Sequence, residues 1–225
     1  MWCIPPKQNA AFVACMEDVI AVYERDHDEA CPVIAMDEKP FQLLDERYTP
    51  IPMSETNHKL KYDCEYERKG TCSIFMFTEP LAGWRNASAL PQRKKVDWAN
   101  KVKWLLDEQY PRAKKVVLVM DNLNTHGTHS FYDAFAPEEA FRLSQRLEIH
   151  YTPKHGSWLN IAEVELSALT TQCLLDRRIP SIDMLNDELH SWQTVRNTSQ
   201  KGVDWHFTTH DARTKLKTLY PIVSF

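Results

Sequence analysis

The sequence predicts an α/β domain in which a mixed β-sheet is flanked by helices. Three early segments have the pattern of strands joined by turns, and the later strands alternate with helical segments. Consecutive strands favour antiparallel pairing, whereas strands that alternate with helices favour parallel pairing. The chain has 225 residues, of which 43% are hydrophobic and 11% aromatic, as is typical of a packed globular protein. We therefore treat residues 1–225 as a single domain.

The individual elements follow from apolar periodicity and from turn residues. Apolar residues at three- and four-residue steps predict helices over residues 10–25, 96–110, 137–147, 157–175 and 181–192, with Ser157 as the N-cap of the fourth. Short apolar runs rich in β-branched residues predict strands over residues 31–37, 71–77, 84–90, 116–120 and 147–151. This order fits the five-stranded mixed sheet of the RNase H-like fold, and it also fits several other α/β folds.

The composition argues against several classes of protein. The six cysteines include no Cys-x-x-Cys pair, so we expect neither a zinc ribbon nor a redox dithiol. No apolar run approaches the roughly 20 residues that span a bilayer, and the first residues lack the pattern of a secretory signal. We therefore expect a cytoplasmic protein with no membrane partner. The net charge of −4 argues mildly against a dedicated DNA-binding module, which usually carries a basic excess.

Two predicted strands lead directly into an aspartate. Asp37 follows the apolar run 33–36, and Asp121 follows the run 116–120. Strand carboxyl ends form one edge of an open α/β sheet, so these two carboxylates can converge there. Either aspartate alone is better explained as a turn former or helix cap, but the pair favours a site. Two hard cations about 4 Å apart require further oxygen ligands, and hence a third carboxylate.

The helix predicted from Ser157 offers two candidates for the third carboxylate, Glu163 and Glu165. Both border the predicted buried stripe, but on opposite flanks, and Glu163 lies beside Asn160. Periodicity alone does not choose between the two glutamates. The stripe consists of Leu159, Ala162, Leu166, Leu169 and Cys173.

Three motifs surround these carboxylates. They are Asp37-Glu38, Asp121-Asn122-Leu-Asn124-Thr-His126, and Thr152-Pro-Lys154-His155-Gly-Ser-Trp-Leu-Asn160 followed by Glu163. They resemble the three acidic motifs of the mariner-like transposases, and most closely those of the bacterial insertion-sequence-630 group. The resemblance extends over residues 2–220. It implies an RNase H-like catalytic domain with Asp37, Asp121 and Glu163 as the catalytic, metal-ligating residues.

The resemblance also implies an activity and its partners. Two Mg²⁺ or Mn²⁺ ions are expected to support cleavage of double-stranded DNA at transposon ends and strand transfer into a target. We expect a nucleoid location when DNA is bound, and a homodimer is compatible with this reading. Only about 30 residues precede the first catalytic strand, so we expect the helix-turn-helix part of such transposases to be absent here or encoded separately.

Further residues of the motifs are expected to support the ligands or to contact DNA. For Asn122, Asn124 and His126, a role in stabilising the loop is an equally good interpretation. For Lys154 and His155, a solvated side chain without a DNA contact is an equally good interpretation. The complete set is Glu38, Asn122, Asn124, His126, Lys154, His155 and Asn160.

Three other functions compete with a DNA transposase. A zinc hydrolase would use Asp121 with the histidines at positions 126, 129, 150 and 155. A receiver-like binding module would use the acidic pair Asp37-Glu38 together with Lys154. An inactive transposase remnant would fold, and would bind DNA without cleaving it.

Overall fold

The protein is built on one five-stranded sheet. The structure is a computed structural model that describes residues 9–54, 61, 63–199 and 202–222. The strands lie in the order β3-β2-β1-β4-β5. β1 is antiparallel to β2 and β2 to β3, whereas β4 is parallel to both β1 and β5. The predicted mixed sheet is therefore confirmed, with these strand bounds: β1 (Val33–Glu46), β2 (Tyr66–Glu79), β3 (Trp84–Leu90), β4 (Val116–Met120) and β5 (Leu147–Tyr151).

Helices cover both faces of this sheet. One core lies between the sheet and α1, α5, α6 and α7, and the other between the sheet and α2, α3 and α4. Because both faces are covered, all five residues of β4 are buried, as is expected for a central parallel strand. The helix bounds are α1 (Ala10–Tyr23), α2 (Lys95–Trp104), α3 (His129–Ala134), α4 (Pro137–Gln145), α5 (Ile161–Leu169), α6 (Ile182–Ser199) and α7 (Thr209–Lys215). None of the helices in the described ranges is both long and apolar enough to span a bilayer.

The first strand is longer than predicted. β1 does not end at Asp37 but continues to Glu46, because β2 pairs with it from Ala35 onward. Its pairing with β4, in contrast, stops at Ala35. The prediction followed only the apolar part of the strand, since the later residues are mostly polar and only partly buried. Asp37 thus lies where β1 separates from β4, and not at the end of a strand.

The helix of the third motif begins later than predicted. Residues Ser157–Leu159 form a 3₁₀ turn, and Asn160 is the N-cap of α5 in place of Ser157. The side-chain oxygen of Asn160 accepts a hydrogen bond from the backbone N–H of Ala162 at 3.2 Å, and its amide donates to the carbonyl of Met36 at 3.0 Å. Asn160 therefore starts the helix and also ties it to β1 beside Asp37.

Two short helices were not predicted, and two helices end in π-helical turns. Helices α3 and α7 have six and seven residues, which is too short for a periodic pattern to be recognised. A π-helical turn, Leu105–Gln109, follows α2, and another, Thr170–Leu174, follows α5. The second of these lies beside the acidic edge of the sheet.

Candidate active site

The register of two parallel strands brings Asp37 and Asp121 side by side. The last paired residues of β1 and β4 are Ala35 and Val119. Asp37 and Asp121 each follow two residues after this last pair, so both carboxylates lie on the same face of the sheet. Neighbouring strands are about 4.8 Å apart, and β4 ends at Met120 while β1 continues along β2. The edge that opens between them carries the two aspartates.

Helix α5 places Glu163 over this edge. Glu163 lies in the first turn of α5, which Asn160 anchors to β1. Asp37, Asp121 and Glu163 line one cavity of about 660 Å³. The three carboxylates thus come from three separate elements of the fold and face a common space.

The other candidate glutamate lies elsewhere. Glu165 is only 7% exposed, and its carboxylate lies 3.1 Å from Nε of Arg85 and 3.0 Å from a terminal nitrogen of Arg196. Arg85 belongs to β3 and Arg196 to α6, so Glu165 joins three elements away from the aspartates. Glu163 is therefore the glutamate that shares a cavity with Asp37 and Asp121.

The acidic site is electrostatically unfavourable without a cation. Burial raises the pKa of Asp37, the backbone N–H of Glu38 opposes this with a hydrogen bond, and the nearby carboxylates of Asp121, Glu163 and Glu38 add to the rise, so that the pKa is about 7. Burial also raises the pKa of Glu163, with Asp121 adding to this and the hydroxyl of Ser157 opposing it. Among the described residues no lysine or arginine forms an ion pair with Asp37 or Glu163.

A buried histidine, His126, contacts Asp121 on the side that faces the protein interior. In His126, Nδ1 lies 2.8 Å from Oδ1 of Asp121 and Nε2 lies 3.1 Å from Oε1 of Glu38. The imidazole side chain is fully buried and stacks on Trp98, with ring centroids 6.1 Å apart. Burial alone lowers the pKa of His126, but the contacts with Asp121 and Glu38 outweigh it and raise the pKa to about 9. These contacts favour the imidazolium form of His126, whose Nδ1 also lies 3.3 Å from the backbone carbonyl of Asp121.

The other predicted residues fall into two groups. Asn122, Lys154, His155 and Asn160 line the cavity with the three carboxylates. Asn124 is exposed, and its carbonyl lies 3.2 Å from Nε2 of His129; it is not among the residues that line the cavity. Sequence reasoning missed the contact between Ser157 and Glu163, because it had assigned Ser157 to the helix cap.

A tight turn presents Lys154 and His155 at the rim of this cavity. His155 has a φ of 67°, a conformation that is uncommon for a residue with a Cβ. A Cβ on the next residue, Gly156, would lie 2.5 Å from Cγ of Pro153, so only glycine fits there without movement. The strained backbone of this loop holds its basic side chains beside the acidic site.

The type of ligand atom indicates which metal ions the site suits. Within the described residues, no three His, Cys, Asp or Glu side chains stand close enough to enclose a metal ion as they are placed. This applies to the histidines of the zinc hypothesis, of which His150 contacts Asp18 and Glu148 instead. It applies equally to the three cavity carboxylates, which face a shared space without closing on it. Their carboxylate oxygens fit hard divalent cations such as Mg²⁺ or Mn²⁺.

The mixed sheet, its two helical layers and its acidic edge define the RNase H-like class of α/β proteins. The family model described as DDE superfamily endonuclease matches residues 32–186. The chain belongs to this family, which confirms at that level the relationship indicated by the three motifs.

Solved structures of one transposase share the fold. The Mos1 mariner paired end complex with Mn has a TM-score of 0.57 at 13% identity, covering 96% of this chain and 64% of that one. The mariner Mos1 paired end complex with Mg has a TM-score of 0.61 at 12% identity, covering 99% and 67%. The Mos1 Strand Transfer Complex has a TM-score of 0.59 at 11% identity, covering 89% and 60%. The chain thus spans less than two thirds of the first two Mos1 chains that it matches. No match was found among curated protein sequences.

Proposed function

We propose that this chain is the catalytic domain of a cut-and-paste DNA transposase. It would cleave phosphodiester bonds of double-stranded DNA at transposon ends and transfer the freed strand to a target. The observation that carries this proposal is that Asp37, Asp121 and Glu163 line one cavity at a sheet edge in a DDE superfamily endonuclease. The Mos1 complexes, which include structures with Mg and with Mn, support the choice of cation.

The three carboxylates would hold two divalent ions. Bound there, such ions would supply activation of the attacking oxygen and stabilisation of the leaving oxygen at phosphorus. The chain contributes rigid placement, because two ligands extend from neighbouring strands and the third lies on a helix tied to one of them. A proton competes with the metal for Asp37 near neutral pH, because the pKa of this carboxyl is about 7. We therefore expect metal affinity to rise with pH through this range.

Glu38 and His126 are positioning residues in this proposal. His126 contacts Oδ1 of Asp121 from the buried side, so one oxygen of Asp121 is held by the imidazolium and the carboxylate is oriented for the metal. Lys154 and His155, at the rim, are placed to contact DNA phosphates. Asn122 and Asn124 would shape the loop between β4 and α3.

The first test measures metal binding without requiring catalysis. The Asp121→Asn variant should lose Mn²⁺ binding in isothermal titration, because it removes an anionic ligand while keeping the side-chain volume. The matched control is Asp187→Asn on the exposed side of α6, which should bind Mn²⁺ like the wild type. Equal binding by all three proteins would show that the carboxylates are not the metal site.

The second test measures DNA cleavage. Wild-type protein should nick supercoiled plasmid DNA with Mg²⁺ or Mn²⁺, and Asp37→Asn, Asp121→Asn and Glu163→Gln should not. Glu165→Gln should lower stability but keep the metal dependence of nicking, since Glu165 pairs with two arginines. A wild type that binds Mn²⁺ and DNA but never nicks would identify an inactive remnant.

Assembly and end recognition are part of the same proposal. Because the carboxylates do not contact bases specifically, we assign the recognition of transposon-end sequences to a protein segment other than the described domain. Competition between transposon-end and random duplexes should accordingly show little preference. Sedimentation with and without DNA would test the homodimer.

A further inference from the structure

A second cavity, of about 390 Å³, adjoins the acidic site. It is a groove between β1 and the helix α5 with its π-helical turn. Asp37 and Glu163 line both this groove and the larger cavity, whereas Lys154 and His155 line only the larger one. The two spaces therefore meet at the carboxylates. Besides these two residues, the polar residues that line the groove are Glu38, Lys39, Ser167, Thr170 and Thr171.

The alternation of side chains along β1 explains why a lysine lies in this groove. Residues two apart on a strand point to the same face, so Lys39 projects from the face that carries Asp37. The intervening residue, Glu38, points to the other face and meets His126. Lys39 consequently follows Asp37 along the floor of the groove, towards the π-helical turn.

The amine of Lys39 is not neutralised by the carboxylates nearby. It donates a hydrogen bond to Oγ1 of Thr170 at 2.5 Å, and that hydroxyl in turn donates to the carbonyl of Leu166 at 2.7 Å. Among the residues of the described ranges, none forms an ion pair with Lys39. The side chain is half-buried, so the threonine holds a positive charge at a set position beside the acidic site.

We propose that this groove binds a backbone phosphate of the DNA strand that is cut, with Lys39 as the contacting residue. This inference rests on the proposed function. A strand whose reacting phosphate lies at the carboxylates extends in two directions from them, and the two cavities provide a path on each side. Lys154 and His155 contact phosphates on one side, and Lys39 contacts a phosphate on the other.

The charge balance of the site supports a phosphate as the occupant. Before metal is bound, Asp37, Asp121 and Glu163 repel a polyanion, and a positive charge held next to them offsets this repulsion where the strand must pass. A lysine acts on phosphate as a point charge with several donors and needs no fixed fork geometry. The hydroxyl of Ser167 gives the groove a further donor that can turn toward a phosphate oxygen, whereas the hydroxyl of Thr171 donates to the backbone carbonyl of Ser167 at 2.6 Å.

The test follows how DNA affinity depends on salt. The affinity for a labelled DNA duplex is measured by fluorescence anisotropy over a series of KCl concentrations, at one fixed Ca²⁺ concentration. Loss of one phosphate contact reduces the slope of log affinity against log salt by about 0.9. Lys39→Gln should show this reduction and bind DNA more weakly, while Lys39→Arg should keep the wild-type slope. The control Lys115→Gln removes an exposed lysine at the opposite end of β4 from Asp121 and should leave the slope unchanged.

A third variant separates phosphate binding from support of the fold. Thr170→Val removes the hydroxyl that holds Lys39 but keeps the charge, so affinity should fall without a change of slope. If Lys39→Gln fails to fold, the Lys39→Arg and Thr170→Val proteins decide the question. The proposal is overturned if Thr170→Val changes the salt slope, or if Thr170→Val binds DNA as tightly as the wild type.

Parallel nicking assays keep this inference distinct from the proposed function. If the wild type nicks DNA and Asp121→Asn does not, the proposed function stands. A wild-type slope and affinity in folded Lys39→Gln would then refute only the phosphate contact. A wild type that neither binds nor nicks DNA would refute both.

Discussion

Replacing Asp37 by asparagine should stabilise the metal-free protein above neutral pH. Burial and three neighbouring carboxylates raise the pKa of Asp37 from its ordinary 3.8 to about 7. In an unfolded chain the carboxyl ionises near 3.8, so between that pH and about 7 the folded state binds one proton more. Stability therefore falls as pH rises through this window, and it levels off above the folded-state pKa.

The size of the effect follows from the pKa. At 1.36 kcal/mol for each pKa unit, the rise from 3.8 to about 7 corresponds to at most about 4 kcal/mol. Asparagine has nearly the same shape and carries no charge, so Asp37→Asn removes this penalty. For a protein of this size, 1 kcal/mol corresponds to about 2–4 °C in Tm, so we expect an increase of several degrees in EDTA at pH 8.

Differential scanning fluorimetry at pH 5 and pH 8, with EDTA or with Mn²⁺, measures each part of this prediction. Metal should raise the Tm of the wild type at pH 8 and should leave Asp37→Asn nearly unchanged. The control Asp187→Asn, on the exposed side of α6, should follow the wild type throughout. Equal stability of the metal-free wild type at both pH values, together with no gain in Asp37→Asn, would refute the electrostatic reasoning.

Three further predictions concern the surroundings of the site. His126→Gln leaves the buried carboxylate of Glu38 without its cation and should destabilise the fold by about 3–5 kcal/mol, measured by urea denaturation; a loss under 1 kcal/mol would contradict a buried His126–Glu38 ion pair. Asn160→Ala removes the helix cap and the hydrogen bond to Met36, and should cost about 1–2 kcal/mol while reducing Mn²⁺ affinity; unchanged affinity would mean that α5 is positioned by other contacts. Arg142 lowers the pKa of Asp107 from 3.8 to about 2, so stability is lost as pH falls through this window, and Arg142→Ala should flatten that part of the urea midpoint profile.

Local pattern was sufficient to predict most of the elements. β3, β4 and β5 begin and end as predicted, because each is a short apolar or alternating run bounded by turn residues. The three acidic motifs also predicted the family, since each motif is a short stretch of sequence that can be recognised without the fold. The pattern failed where an element is short, as in α3 and α7, or where partners rather than apolar residues sustain it, as in β1 beyond Asp37.

The choice of glutamate and the second cavity depended on tertiary structure. Glu163 and Glu165 flank the same buried stripe and are equivalent by helical periodicity alone. They differ because Arg85 and Arg196, brought by β3 and α6, pair with Glu165. The groove likewise exists because α5 lies across the β1 face that carries Asp37 and Lys39. Local sequence encodes which face of an element is apolar, but ion pairs and cavities between distant segments arise only once packing sets the distances between them.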